Sequence, residues 1–344
     1  MEAWEYGPAE LAVIRAFVDG DPLDQAGGPL DVRTVVADIR PEAKDGFLVE
    51  EVPWERFPDG TDVREDLEQV RSGDDTATRR ALSTILGLCA NDMRVAAAPA
   101  VPFLVRIGAG PAVGSHRAGA LTAVGEVARM RHQGVCTREN LLRLRGADDW
   151  LFEPTGYPQN WSVQAAREAI TADTGLLLPV LADPDPAVRL AAAYALAAAA
   201  GRARDILTVV HARLPVEPDP AVRAGLVLAI AQLALAQQDM PTTAWMRACW
   251  SAPTRPPEVR VSAALGGLCL TDGPVPDDLR TMLNDLATPD LAQLLEPLPW
   301  MQAASTGGRT GLQRCLHTML HPDTPEPCTP AYAGGTGTPA IPTC

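Results

Sequence analysis

Lysine is nearly missing from this sequence: Lys44 stands alone among 29 basic residues, the rest being arginine. A face that grips a nucleic-acid backbone needs dense cationic charge, and a chain with one lysine and a formal net charge of −14 starts far from that. Histidine is scarce as well, with five residues at 116, 132, 211, 317 and 321, none of them followed by glutamate. There is no HExxH, no phosphate-binding P-loop, no GxSxG, and no GxGxxG opening a helix after a strand. Nucleophilic and metal-assisted hydrolysis therefore have no visible constellation, and neither catalytic residues nor a cofactor are expected. No stretch approaches the roughly 18 uncharged apolar residues of a spanning helix. The N-terminus also lacks the basic region of an export signal, so a cytoplasmic protein with no membrane partner is expected.

Seven cysteines, at 89, 136, 249, 269, 315, 328 and 344, form no CxxC pair. Cys89, Cys249 and Cys269 fall in apolar helical runs, which predicts buried thiols. The spacing Cys315-x-His317-x3-His321-x6-Cys328 has metal-ligand residue types but lies in a Pro-rich segment without a supporting frame, so no metal is expected there.

What is present is a globular composition, 47% hydrophobic and 21% charged, with an uneven charge distribution. Residues 1–75 hold 20 acidic and 7 basic residues, a net −13, and residues 76–344 hold 23 and 22, a net −1. The array that follows the acidic leader is therefore close to neutral, and the argument against nucleic acid rests on its missing basic cluster rather than on the total.

A repeat organises the chain. Asp183-Pro-Asp-Pro-Ala-Val-Arg189 recurs 34 residues later as Glu217-Pro-Asp-Pro-Ala-Val-Arg223, and Pro256-Pro-Glu-Val-Arg260 lies 37 further on. Weaker copies lead with Arg79 and Arg117, and the 72 residues from Arg117 to Arg189 imply a degenerate unit or an insertion. Such a period points to a helical solenoid. Asp185 and Asp219 sit where a side-chain oxygen can cap free amides, with Pro186 and Pro220 at the first helical position. Val188, Ala192 and Leu196 then form one apolar stripe, and Val222, Leu226, Ile230 and Leu233 form the next. Arg189, Arg223 and Arg260 stand near the positive pole of the helix dipole, a placement that needs compensation. A structural ladder that links successive units, these arginines with Asp183/Asp185 and Glu217/Asp219, supplies it; a phosphate-binding row is the alternative.

The D-P-x-V-R-x-A-A-x-A-L pattern, here DPDPAVRLAAAYALA, resembles HEAT repeats, and residues 54–298 resemble bacterial, especially actinobacterial, HEAT-repeat proteins through AVPFL (100–104) and the run from Gly175 to Arg189. The resemblance implies an all-α fold: a right-handed, armadillo-like α-solenoid of antiparallel helix pairs that binds another protein on its concave surface as a scaffold or adaptor. Three parts are expected: an acidic extension or cap over 1–52, the solenoid over 53–306 with an insertion at about 132–161, and a Pro/Gly/Thr-rich tail over 307–344, largely disordered after 320. In such stacks the second helix of each pair lines the concave side, which nominates Trp245, Arg247 and Trp250 with His211 and Arg213 as a recognition patch. Trp150 and Trp161, in an insertion that concentrates aromatics, are further binding candidates. Two enzymatic alternatives rest on fold analogy, an alkylpurine-DNA-glycosylase-like activity and a HEAT-like lyase. The paired His-Glu ligands of the HEAT-like deoxyhypusine hydroxylases are absent.

Overall fold

The structure, a computed structural model, describes residues 30–72, 74–91, 93–110, 116–129, 136–143, 153, 157–305 and 308–321, with the backbone alone at 159 and 240. Among these residues the chain is all-helical, with seventeen α-helices, short 3-10 turns and no strand. The segments 32–39 and 47–52, short enough in sequence for strands or helical turns, are helical: α1 (Val32–Asp38), α2 (Pro41–Gly46) and a 3-10 turn at Val49–Glu51.

The repeat helices form a row. In chain order, α4 (Asp75–Ala90), α6 (His116–Val127), α9 (Pro186–Leu196), α11 (Pro220–Gln237) and α13 (Pro257–Cys269) each pack against the next. Helix α6 meets α9 directly, so the long gap between Arg117 and Arg189 is an insertion and does not hide a further member of the row. Asp185 and Asp219 cap α9 and α11 by accepting from the amides of Ala187 and Val222, with proline at the first turn of each. Small residues allow the close spacing. A Cβ at Gly125 would run into the Tyr194 ring, one at Gly225 into the Leu190 side chain, and one at Gly266 would stand 2.7 Å from Ala231 Cβ.

Each row helix is preceded by a partner in an outer layer: α3 (Gly60–Ser72), α5 (Val101–Ala109), α7 (Gln159–Ala172) with α8 (Thr174–Leu177), α10 (Ala203–Arg213) and α12 (Met240–Ser251). Helix α10 shows why one face suffices there, burying Ile206 and Val210 while Arg204, Asp205 and Thr208 face outward. The row helices differ. Every residue from Val188 to Leu196 is buried, as is every residue from Ala224 to Ala234, because the opposite side of the row is also covered. That cover is the C-terminal part of the chain: α14 (Asp277–Leu286), α15 (Pro289–Leu295), α16 (Pro299–Ala304) and α17 (Gly311–Leu320). The N-terminal α1 and α2 pack on α7 and α5 in the outer layer.

Within the expected tail, α17 buries Leu312, Cys315, Met319 and Leu320; residues 322–344 lie outside the described residues. Within the insertion, residues 137–143 form a turn, which Arg138 holds by tertiary contact through its bonds to the distant carbonyls of Gly273 and Met319. Among the described residues one helix, α11, is long and apolar enough to cross a membrane, and 67% of that window is buried at the centre of the row. All-round apolarity in α11 is that of a core helix.

Candidate functional site

The arginines of the row are consumed in joining it. Arg117 on α6 reaches Asp183 at 2.7 Å, Arg189 on α9 reaches Glu217 at 2.6 Å, and Arg223 on α11 reaches Glu258 at 2.6 Å. Each of these three cations thus binds an acid at the start of the next row helix. Arg189 also donates to the carbonyls of Asp183 and Pro184, and Arg223 does the same to Glu217 and Pro218. Carboxylate and carbonyls together offset the unfavourable helix-dipole position. The membership of the ladder differs from that expected in two ways. Asp185 and Asp219 spend their oxygens capping helices, and Arg260 donates to the carbonyl of Trp250 instead of an acid. Glu217 is the hub, accepting from Arg189, Arg213 and the Asp219 amide. Burial would raise its carboxyl, but those hydrogen bonds hold it below the usual range.

The patch expected on a concave face divides and changes sides. His211 and Trp245 meet edge to face, with centroids 4.7 Å apart, and both are half-buried. Burial pushes the His211 imidazole below its ordinary value while Asp239 opposes this. Arg247 is exposed, Arg213 is tied to Glu217, and Trp250 is buried at 6% exposure, so it is core. All five belong to the outer layer or its margin. The helix opened by D-P-x-V-R is the inner member of its pair, so α10 and α12 stand on the side away from the C-terminal cover.

In the insertion, Trp150 lies outside the described residues. Trp161 is buried beneath the guanidinium of Arg33, which lies 4.2 Å from its ring, so it anchors α1 to α7 and offers no binding surface. Tyr157 packs near Phe57 and donates to the Arg56 carbonyl. Arg129 is buried with its guanidinium 3.6 Å from the Tyr194 ring.

Between these anchors Glu153 is buried, accepting from the Ser162 hydroxyl and the Val95 amide. Burial pushes its carboxyl up to about 7, against the lowering effects of Ser162, Val95 and Arg94. A carboxyl raised on folding binds its proton more tightly in the native state, so its contribution is complete below the unfolded value near 4.5 and lost as pH rises towards 7. The span corresponds to about 3 kcal/mol. Urea unfolding of the wild type and Glu153→Gln at pH 4.5 and 7.5 checks this: the wild type should lose stability relative to the variant at the higher pH. Parallel pH profiles would refute it.

A cleft of about 1360 Å³ opens where the row ends. Its walls are the 137–143 turn, the last turns of α11 (Gln232, Leu235, Ala236), the chain after α13 (Cys269 to Val275), Arg280 of α14, and the end of α17. Arg138 and Arg280 donate to carbonyls of Gly273, Met319 and Leu320, which fixes their stems along the rim. The lining mixes apolar Leu142, Leu235, Val275 and Met319 with charges of both signs. Sequence reasoning named none of these as site residues. They come from four distant segments, and the only local signal was the length of the insertion that supplies the turn.

Among the described residues no cluster of three or more His, Cys, Asp or Glu is placed to hold a metal ion. His317 and His321 lie with ring centroids 6.3 Å apart on α17 and just beyond it, and Cys315 turns away into the core. No protein-family model matches this sequence and no curated protein matches it, so the all-helical row, its arginine joints and the cleft at its end are what any functional reading must rest on.

Proposed function

We propose that this chain is a HEAT-type helical-repeat adaptor of the cytoplasm that acts by recognition, and that it binds a segment of another protein in the cleft at the end of the row. The observation that carries this reading is the cleft itself. It is large enough for a chain segment, walled by four parts of the sequence, and lined by the apolar-with-polar mixture typical of binding sites. The D-P-x-V-R helices packed in order, with Arg117, Arg189 and Arg223 each pinned to the next unit, support the repeat assignment. The C-terminal helices cover the row face over α9, α11 and α13, which favours the cleft over that face in this reading. The nucleic-acid alternative loses support, because Arg117, Arg189, Arg213 and Arg223 are neutralised within the fold.

The test compares two charge changes. Affinity capture recovers a partner, and its Kd is then measured against Val275→Arg at the cleft and Arg247→Glu on the outer layer. A loss of tenfold or more confined to Val275→Arg supports the cleft. The opposite pattern moves recognition to the outer helices, and equal affinities in both variants refute both surfaces.

A further inference from the structure

Behind the cleft wall, three side chains on one face of α17 converge on a single sulfur. Cys136, fully buried immediately before the cleft-lining turn, lies with its sulfur 3.3 Å from the Thr318 hydroxyl oxygen and hydrogen-bonded with the Cys315 thiol and the Arg314 guanidinium. Residues 314, 315 and 318 share one helix face by spacing, so the arrangement follows from α17 docking against the turn. The Thr318 hydroxyl gives its proton to the Arg314 carbonyl, so the donors left to the sulfur are the Cys315 thiol and the cationic Arg314 guanidinium, which match a thiolate better than a neutral thiol. Cys315 is fully buried beside it and Cys269, the third thiol of the group, lines the cleft. Thr318 also lines the cleft, so one hydrogen-bond partner of Cys136 separates the sulfur from the cavity.

We propose that Cys136 and Cys315 form an oxidation site that takes a hydroperoxide as co-substrate, Cys136 being the attacking thiolate and Cys315 the thiol that resolves it to a disulfide. In the first step the Cys136 sulfur attacks one peroxide oxygen. The S–O bond forms as the O–O bond breaks, sulfur is oxidised to the sulfenic acid, and hydroxide leaves. In the second step the Cys315 sulfur displaces that hydroxyl; the S–S bond forms, the S–O bond breaks, and the thiol proton leaves with hydroxide as water. Two thiols and one hydrogen peroxide thus give one disulfide and two waters. The asymmetry between the two groups agrees with these roles. The Cys315 hydrogen bond, ahead of the contributions of Thr318 and Arg314, holds Cys136 down at about 6 against burial, and the same bond together with burial keeps Cys315 well above the ordinary thiol range. The bond would tie the 137–143 turn to α17 and so fix two walls of the cleft, a consequence independent of what the cleft holds.

The experiment treats the full chain with stoichiometric hydrogen peroxide, blocks remaining thiols with N-ethylmaleimide in denaturant, and maps peptides by mass spectrometry. The expected product is a 136–315 cross-link two mass units below the two free peptides, with Cys89 and Cys249 alkylated. Cys315→Ser should stop at a Cys136 sulfenic acid trapped by dimedone, and Cys136→Ser should leave Cys315 reduced. Alkylated Cys136 and Cys315 after treatment, or oxidation of Cys89 or Cys249 ahead of them, overturns the proposal. The wild-type map alone decides this if a variant fails to fold.

Discussion

Glu217→Ala is expected to lower the free energy of unfolding by about 3–5 kcal/mol, because it leaves the buried Arg189 guanidinium without its counter-charge. Arg189 and Glu217 are 6% and 0% exposed at their side chains, so water cannot replace the lost partner. Arg213, at 22%, can turn outward and adds little to the cost. The same substitution removes the acceptor for the Asp219 amide, in the residue that caps α11. Glu217→Gln keeps an oxygen for one guanidinium and should lose less. Urea denaturation measures both, with exposed Glu139→Ala as the reference. A Glu217→Ala loss as small as that of the reference would mean that the arginine joints do not hold the row together.

Trp300→Ala is expected to cost about 3–5 kcal/mol by cavity formation, and to loosen the C-terminal helices from the row before the row itself unfolds. Trp300 on α16 stands edge to face with Tyr194 of α9, centroids 4.8 Å apart, and its indole N–H donates to Gln232 of α11 at 2.8 Å. Gln232 in turn donates to the carbonyl of Ala197, so one side chain bridges α16, α11 and the end of α9. Trp300→Phe retains most of the volume but removes the donor, leaving a buried amide oxygen unpaired at about 1–3 kcal/mol. Equilibrium unfolding gives the total, and limited proteolysis reports whether α14 to α17 open first. If Trp300→Ala stays within about 1 kcal/mol of wild type and gains no new cleavage near α16, the C-terminal cover is not integral to the core.

The two substitutions separate what local sequence displays from what it hides. The Asp-Pro starts, the capping aspartates and the arginine that recurs after each Val are visible in the chain, because capping and first-turn chemistry act within a few residues. The need for an acid beside each arginine is visible as well, since a cation at a helix N-terminus requires compensation. Which acid answers was less legible: Asp183 and Glu217 stand two residues ahead of their caps, while Asp185 and Asp219 face their own helix amides. The resemblance nominates Trp245 or Trp250 for recognition because second helices line the concave side of such stacks, yet periodicity cannot say which side of a helix pair looks outward. In this chain the outward side of α12 is not the side that the C-terminal helices cover.

By itself the amino-acid sequence determined an all-helical chain with a repeated inner helix, where those helices begin, and which charge chemistry joins them. Those properties depend on contacts a few residues apart and on a spacing that repeats. Only the tertiary structure decided that the row is covered on one face by the protein's own C-terminal helices. It also decided that Trp300 rather than Trp250 bridges the core to that cover, and that Cys136 meets Cys315 behind a cleft. Helices α9 and α11 are apolar on every side, so their sequences state that they are buried without stating by what. The covering partner is set by where the distant end of the chain comes to rest.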